Sequence, residues 1–107
     1  MRALIASALF AFATAVAAAD DPTFEVVIKD HKFTPAEIAV PANTKIKLVV
    51  RNEDATPEEF ESKKLGREKV IAGKSQATIL VGPLKPGEYP FVGEYNEKTA
   101  KGKLVVK

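Results

Sequence analysis

Apolar and polar residues alternate over several short segments of the chain after residue 20. In KIKLVVR, residues 45–51, every second residue is aliphatic, and the opposite face carries lysine and arginine. Successive side chains of a β-strand point to opposite faces, so this period of two predicts strands with one buried face. The segments are FEVVIK at 24–29, KIKLVVR at 45–51, ATILV at 77–81, EYPFVGEY at 88–95 and GKLVVK at 102–107, with Phe24, Val26, Ile28, Ile46, Leu48, Val50, Ala77, Ile79, Val81, Tyr89, Phe91, Tyr95, Leu104 and Val106 predicted to face inwards.

Residues typical of turns separate these segments. The turn signals are PAN at 41–43, AGK at 72–74, GPLKPGE at 82–88 and KG at 101–102. A helical turn is expected only within SKKLGRE, residues 62–68, where Gly66 argues against a longer helix. We therefore predict an all-β protein, a Greek-key β-sandwich of about six to eight strands.

The N-terminal twenty residues differ from the rest of the chain. MRALIASALFAFATAVAAAD has one early arginine, an uncharged apolar run and three alanines before Asp20. This order is typical of a secretory signal peptide with a small-residue cleavage site. A membrane anchor is the alternative, but the run is short, rich in alanine and without a basic flank. We expect a signal peptide at 1–19, a single domain at 20–107, a periplasmic location and no membrane insertion after cleavage.

Composition and charge narrow the classes of function. The formal net charge is only +2, which predicts neither nucleic-acid binding nor attachment to an anionic membrane. The chain contains no cysteine, so no disulfide stabilises it and no thiolate is present as a metal ligand. No catalytic triad spacing, zinc signature, phosphate-binding loop or cofactor fingerprint is present, so we do not expect an enzyme of those classes.

Two long strings of the chain together resemble one known family. HKFTPAEIAVPANTKIKLVVRNEDATPEEF, residues 31–60, is similar to the N-terminal half of a cupredoxin, up to the first copper ligand. LKPGEYPFVGEYNEKTAKGKLVV, residues 84–106, is similar to the C-terminal half, which carries the metal-binding loop and the closing strand. The resemblance implies a cupredoxin-like sandwich.

The resemblance also shows where this chain departs from a blue-copper protein. A type 1 copper site uses two histidines, one cysteine and usually a weak axial methionine. Gly93 stands at the cysteine position, Asn96 at the second histidine, and Thr99 and Ala100 at the methionine. The first histidine position falls within PEEFE, residues 57–61. The resemblance therefore implies a cupredoxin without a type 1 blue-copper site.

A narrower resemblance points to iron uptake. PEEFES at 57–62 and GPLKPGEYPFVGEY at 82–95 are similar to the periplasmic cupredoxin component of Ftr-type ferrous-iron systems and to the cupredoxin domain of Efe-type iron-binding proteins. Membership would imply a bound copper or iron ion and a partner that is an iron-uptake permease or a periplasmic iron-binding protein. Carboxylates prefer the harder Fe³⁺, so assistance of ferrous-iron oxidation is a further expectation.

Glu59 and Glu61 are the first candidate ligands. In an extended segment, residues two apart point to the same face, so both carboxylates would project together with Phe60 behind them. Such a pair suits Fe²⁺, Mn²⁺ or Cu²⁺, of which Cu²⁺ generally binds most tightly. The alternative is that these acids are solvated or paired with nearby basic residues, which are Lys63, Lys64 and Arg67.

His31 and Glu94 are further candidates. His31 is the single histidine of the chain, and neutral imidazole is a common ligand for borderline ions. Its alternative role is an exposed loop residue. Because the loops of a sandwich gather at its ends, we expect His31 near the 52–62 loop or the 93–100 loop. Glu94 lies in the loop that carries ligands in the cupredoxins, and its alternative role is a surface charge paired with Lys98 or Lys101. We interpret Asn52 and Asp54 as structural residues of an Asx turn.

Two hypotheses of function follow. In the first, an exported metal-binding protein uses Glu59 and Glu61, with His31 and Glu94, to bind copper or iron during periplasmic ferrous-iron uptake. In the second, the domain has lost its metal and is an interaction module that docks on a transporter or another periplasmic partner.

Overall fold

The chain folds into nine β-strands and one 3₁₀ turn over residues 21–107, the range that the computed structural model describes. The strands are β1 Thr23–Lys29, β2 Lys32–Thr34, β3 Glu37–Val40, β4 Ile46–Asn52, β5 Glu58–Ser62, β6 Arg67–Ile71, β7 Ser75–Val81, β8 Gly87–Gly93 and β9 Lys101–Val106, and the 3₁₀ turn is Glu94–Asn96. The predicted all-β sandwich is confirmed. The described range has more strands than predicted, because β2 and β3 are very short and β6 is exposed along most of its length.

The strands form two sheets. One sheet has the order β2-β1-β4-β7, and the other has the order β3-β9-β8-β5-β6. The pairs β1–β4 and β3–β9 are parallel, and the remaining pairs are antiparallel. The expected signal peptide at 1–19 lies outside the described residues. Within 21–107, no helix is long and apolar enough to span a bilayer.

The core lies between the sheets and follows the predicted alternation. Val26, Leu48 and Leu104 are completely buried. Phe33 from the first sheet meets Phe91 from the second at a centroid distance of 4.9 Å, nearly edge to face. Phe60 lies 4.9 Å from Phe91 and completes the aromatic cluster. Since no disulfide is present, burial of these side chains holds the sandwich together.

The end of β8 differs from the sequence prediction. Tyr95 was expected to share the inward face of Tyr89 and Phe91, but β8 stops at Gly93 and the chain enters the 3₁₀ turn. The turn breaks the period of two, and the Tyr95 side chain is 53% exposed. The inward assignment of Tyr95 was therefore wrong.

The connection from β4 to β5 has the predicted Asx turn. The Asn52 side-chain oxygen accepts the backbone N–H of Asp54 at 3.0 Å. Asn52 is buried, and its amide donates to the backbone carbonyl of Thr56 at 2.8 Å and to that of Ile71 at 3.2 Å. This buried asparagine fixes the loop that leads into β5.

Candidate metal-binding site

The outer face of β5 presents the two acids singled out by the sequence. Phe60 is fully buried, so Glu59 and Glu61 on either side of it project from the opposite face and are half-buried. Glu68 on β6 is directly opposite Glu61 in the strand register. Like charges at directly opposite positions destabilise a strand pair unless something neutralises them.

Three of the outer carboxylates converge. Ligand oxygens of Glu59, Glu68 and Glu94 lie within 4.8 Å of one another. Glu94 arrives from the 3₁₀ turn after β8, and its carboxyl group is within hydrogen-bonding reach of both Glu59 and Glu61. Four carboxyl groups from three separate segments therefore meet on one face, and we call these four residues the carboxylate cluster.

No lysine or arginine within residues 21–107 forms a close ion pair with the carboxylate cluster. The Arg67 Nε donates to the backbone carbonyl of Leu80 at 2.9 Å. Lys64 donates to the backbone carbonyl of Glu88 at 2.7 Å, and its ammonium lies 4.7 Å from the centre of the Tyr89 ring. Within residues 21–107, every ion pair with N···O of at most 4.0 Å lies elsewhere. The predicted alternative, pairing with nearby lysine or arginine, is thus not what the structure has.

Crowding of negative charge alters the acidity of the cluster. Partial removal from water, the charge of Glu59 and a hydrogen bond with Glu59 raise the pKa of Glu94 above its ordinary value, and the charge of Glu97 adds to this. A hydrogen bond with Glu61 opposes the rise without cancelling it. A bound proton or a bound cation stabilises a carboxyl group in such surroundings, because it reduces the repulsion between the neighbouring negative charges.

His31 does not belong to the group of converging ligand atoms. It is exposed in the turn between β1 and β2, where both Asp30 and His31 have positive φ values, 53° and 59°. The two backbone N–H groups donate to the carboxylate of Asp54 at 2.8 and 3.0 Å. The predicted proximity of His31 to the loop after β4 is therefore present, but its ring is not in the group of Glu59, Glu68 and Glu94.

Glu58 is a buried carboxylate that the sequence analysis missed. It is 1% exposed and points inward, on the same side of β5 as Phe60. Its Oε1 accepts the backbone N–H of Glu59 at 2.9 Å and that of Tyr95 at 2.8 Å. Its Oε2 accepts the side-chain amide of Asn96 at 2.7 Å. Three N–H donors thus satisfy this acid, as a buried carboxylate requires.

The Glu58 carboxylate lies among the positions that correspond, by the resemblance, to the copper ligands of the family. A Cβ atom on Gly93 would lie 2.7 Å from the Cδ of Glu58 and 2.7 Å from the Cβ of Ala100. Asn96, at the position of the second histidine, is hydrogen-bonded to the same carboxylate. The residues present at these positions do not fit a type 1 copper ion, because sulfur and imidazole donors are lacking and a carboxylate fills the space between them.

Sequence reasoning also missed Glu68. It lies on an edge strand that is exposed at every residue except Ile71, so no apolar alternation marked β6 as a strand. Glu58 did have a usable signal, because alternation puts it on the same face as Phe60. Its charge argued against burial, since glutamate is seldom fully buried unless its oxygens are bonded.

The fold defines the class of protein, an all-β sandwich of two sheets. A family model described as Cupredoxin-like domain matches residues 2–106, so the chain belongs to the cupredoxin-like domain family. An uncharacterised protein of Rickettsia prowazekii (strain Madrid E) is 45% identical over 82 residues, which is 77% of this chain. The aligned part spans 66% of that relative's length.

Solved structures of copper proteins share this fold. The metal-binding domain of the Cu(I)-exporting P-type ATPase CopA of Streptococcus pneumoniae D39 matches with a TM-score of 0.67 and 16% identity, over 79% of this chain and 84% of that one. Auracyanin A, a blue copper protein of Chloroflexus aurantiacus, matches with a TM-score of 0.65 and 16% identity, over 79% and 98% of the two chains. At such low identity these likenesses establish the fold alone.

Proposed function

We propose that this protein is an exported cupredoxin-like protein that binds Cu²⁺ or iron through the carboxylate cluster and acts in periplasmic ferrous-iron uptake. The single observation that carries the proposal is the convergence of Glu59, Glu68 and Glu94 within 4.8 Å, with Glu61 beside Glu94. Within residues 21–107 no lysine or arginine forms an ion pair with these acids. Charges of one sign held this close are stabilised by a cation between them.

The donor atoms suggest which ions bind. Carboxylate oxygens accept Mn²⁺, iron and Cu²⁺, and the general order of affinities puts Cu²⁺ highest among these divalent ions. Iron as the physiological cargo is supported by the PEEFES and GPLKPGEYPFVGEY strings, at 57–62 and 82–95, which resemble cupredoxins of ferrous-iron uptake. The partner would then be an iron permease or a periplasmic iron-binding protein.

The proposal excludes a type 1 blue-copper centre. The chain has no cysteine to supply the thiolate of such a site. The inner position between Gly93, Asn96 and Ala100 is taken by the Glu58 carboxylate. Metal is therefore expected on the outer face of β5, and Cu²⁺ bound there should lack the intense blue thiolate absorption.

Titration calorimetry with Cu²⁺, and with Fe²⁺ under anaerobic conditions, tests the proposal. The double variant Glu59→Gln and Glu94→Gln should bind either ion at least about tenfold more weakly than the wild type. Glu88→Gln is the matched control, because Glu88 is an exposed acid of the same sheet that pairs with Lys103. The proposal is contradicted if the wild type and the double variant bind the ions equally tightly. It is also contradicted if the wild type binds neither Cu²⁺ nor Fe²⁺ at ion concentrations below the high-micromolar range.

A second candidate function is docking of a partner protein on the same face. Val70, the cross-strand partner of Glu59, is 51% exposed, and Tyr95, next to Glu94, is 53% exposed. Tyrosine is enriched in the cores of protein interfaces, whose rims are polar. If the wild type captures a periplasmic partner in the presence of a chelator, the docking function is favoured. If capture requires metal, the metal-binding function is favoured.

A further inference from the structure

Glu58 joins the two backbone segments that carry Glu59 and Glu94. A single oxygen, Oε1, accepts both the N–H of Glu59 on β5 and the N–H of Tyr95 in the 3₁₀ turn, at 2.9 and 2.8 Å. The other oxygen accepts the amide of Asn96, at the end of the same turn. One buried side chain therefore spans the gap between the strand and the turn.

The strand ladder next to the 3₁₀ turn is short. The ladder between β5 and β8 consists of two pairs, Phe60 with Gly93 and Glu61 with Val92, and it ends where the turn begins. Past Gly93, the backbone N–H of Tyr95 and the side-chain amide of Asn96 donate to Glu58. No side-chain hydrogen bond caps the N-terminus of the 3₁₀ turn, which begins after Gly93.

We infer that Glu58 is a positioning residue, whose buried carboxylate fixes the separation of the Glu59 and Glu94 carboxylates on the outer face. The effect of Glu58 on metal affinity rests on the proposed function, whereas its effect on the positions of the two carboxylates does not. The physical argument is geometric. Oε1 accepts hydrogen bonds from the backbone N–H groups of Glu59 and of Tyr95, the residue after Glu94. A shift of that oxygen therefore moves both β5 and the 3₁₀ turn. Residues that orient the ligands of a metal site commonly alter its affinity by about 10- to 100-fold when replaced.

Two substitutions separate the reach of the side chain from its charge. Glu58→Asp keeps the carboxylate but withdraws it by one methylene, so it cannot bond the strand and the turn together. Glu58→Gln keeps the length of the side chain and one oxygen that can accept both backbone N–H groups. The new amide N–H group can donate to the side-chain oxygen of Asn96 once the Asn96 amide has rotated. If Glu58 positions the ligands, Glu58→Asp should weaken Cu²⁺ binding by about 10- to 100-fold, and Glu58→Gln should stay within about fivefold of the wild type.

The first measurement uses metal-free protein. Crystal structures of the wild type and of Glu58→Asp should show the Glu59 and Glu94 oxygens within 4.8 Å in the wild type and farther apart in the variant. Ser62→Ala is the matched control, since Ser62 is also buried on β5 and donates to the carbonyl of Pro90 on β8, away from the 3₁₀ turn. The control should leave the separation unchanged.

The second measurement uses Cu²⁺ as the probe. The electron paramagnetic resonance spectrum of bound Cu²⁺ reports ligand geometry, so it should change in Glu58→Asp and remain wild-type in Ser62→Ala and Glu58→Gln. An unchanged separation in Glu58→Asp overturns the inference whether or not metal binds. An unchanged affinity and spectrum in that variant overturn it as well. Failure of the wild type to bind Cu²⁺ contradicts the proposed function, while the crystal structures still decide whether Glu58 positions the two acids.

Discussion

At the scale of single residues, Gly93 and Glu58 are mutually dependent. The carboxylate of Glu58 lies where a side chain at position 93 would begin, and Ala100 closes the other side at 2.7 Å. A glycine is therefore needed at position 93 by close packing rather than by its backbone angles. The same carboxylate accepts from Tyr95 and Asn96, so the end of β8 and the turn after it both depend on one acid of β5.

A double-mutant cycle tests this dependence. Gly93→Ala should lower the free energy of unfolding by about 1–3 kcal/mol, because its methyl group overlaps the Glu58 carboxylate. In the background of Glu58→Ala the same substitution should be less damaging, with a coupling of about 1 kcal/mol or more. Urea unfolding of the four proteins measures the coupling. Strict additivity would show that the two residues do not share the space.

Glu94 should give the metal site a dependence on pH. Its pKa is raised above the ordinary 4.5, chiefly by loss of water around it and then by Glu59. Protons therefore compete with metal at a higher pH than for an isolated glutamate, and Cu²⁺ affinity should fall as the pH drops through this raised pKa. Calorimetric titrations at a series of pH values measure this, and Glu94→Gln should flatten the profile.

The same raised pKa has a consequence for the stability of the metal-free protein. Between the unfolded pKa, near 4.5, and the higher folded one, the folded state holds more protons than the unfolded state, so stability falls as the pH rises through this window. Glu94→Gln should therefore make the metal-free protein more stable at neutral pH while weakening metal binding. A variant that is less stable than the wild type at neutral pH would argue against charge crowding.

At the scale of elements, a loop residue holds the turn between β1 and β2. The Asp54 carboxylate accepts the N–H groups of Asp30 and His31, whose positive φ values match a tight hairpin turn. Desolvation acts to raise the pKa of Asp54, but these two donors, with the charges of His31 and Lys74, outweigh it and lower the pKa below 3.8. The loop after β4 and the first hairpin are thereby linked.

Asp54→Ala should lower the free energy of unfolding by about 1 kcal/mol at neutral pH, since the two hydrogen bonds to charge are exposed. A depressed pKa contributes stability above the unfolded value of 3.8, and that contribution disappears as the pH falls through the folded value. The difference between wild type and variant should therefore shrink in acid. Urea unfolding at neutral pH and below pH about 3 measures both values, and a constant difference contradicts the account.

At the scale of the whole molecule, a metal ion would join segments that are distant in the chain. Glu59, Glu68 and Glu94 come from β5, β6 and the 3₁₀ turn, and the aromatic cluster lies beneath β5 on the inner side. A ligand that binds only the folded state stabilises it by an amount set by its concentration and its dissociation constant. Metal binding at this cluster would therefore be linked to folding.

Cu²⁺ at about one hundred times its dissociation constant should stabilise the wild type by about 2.7 kcal/mol, seen as a higher midpoint of thermal unfolding. At the same Cu²⁺ concentration the double variant Glu59→Gln and Glu94→Gln should be stabilised by about 1.4 kcal/mol or less, because its binding is at least about tenfold weaker. The control Glu88→Gln should respond like the wild type. An equal increase in the double variant would indicate that Cu²⁺ binds elsewhere.

Local patterns in the sequence determined the class of fold and one face of the site. The period of two specifies strands whose apolar faces must be buried together, which is enough to predict an all-β sandwich. The same alternation, applied around Phe60, predicts that Glu59 and Glu61 share a face. Both conclusions depend only on residues a few positions apart, which is why they required no coordinates.

Tertiary structure alone decided which other acids join that face. Glu68 meets Glu61 through the register of β5 with β6, and Glu94 arrives because β8 ends at Gly93 and turns. Strand register and the end of a strand depend on contacts between distant segments, which a local pattern does not contain. Burial of Glu58 likewise depends on hydrogen-bond donors from residues 95 and 96. These donors are far from Glu58 in the sequence, so only the tertiary structure shows that the buried acid is satisfied.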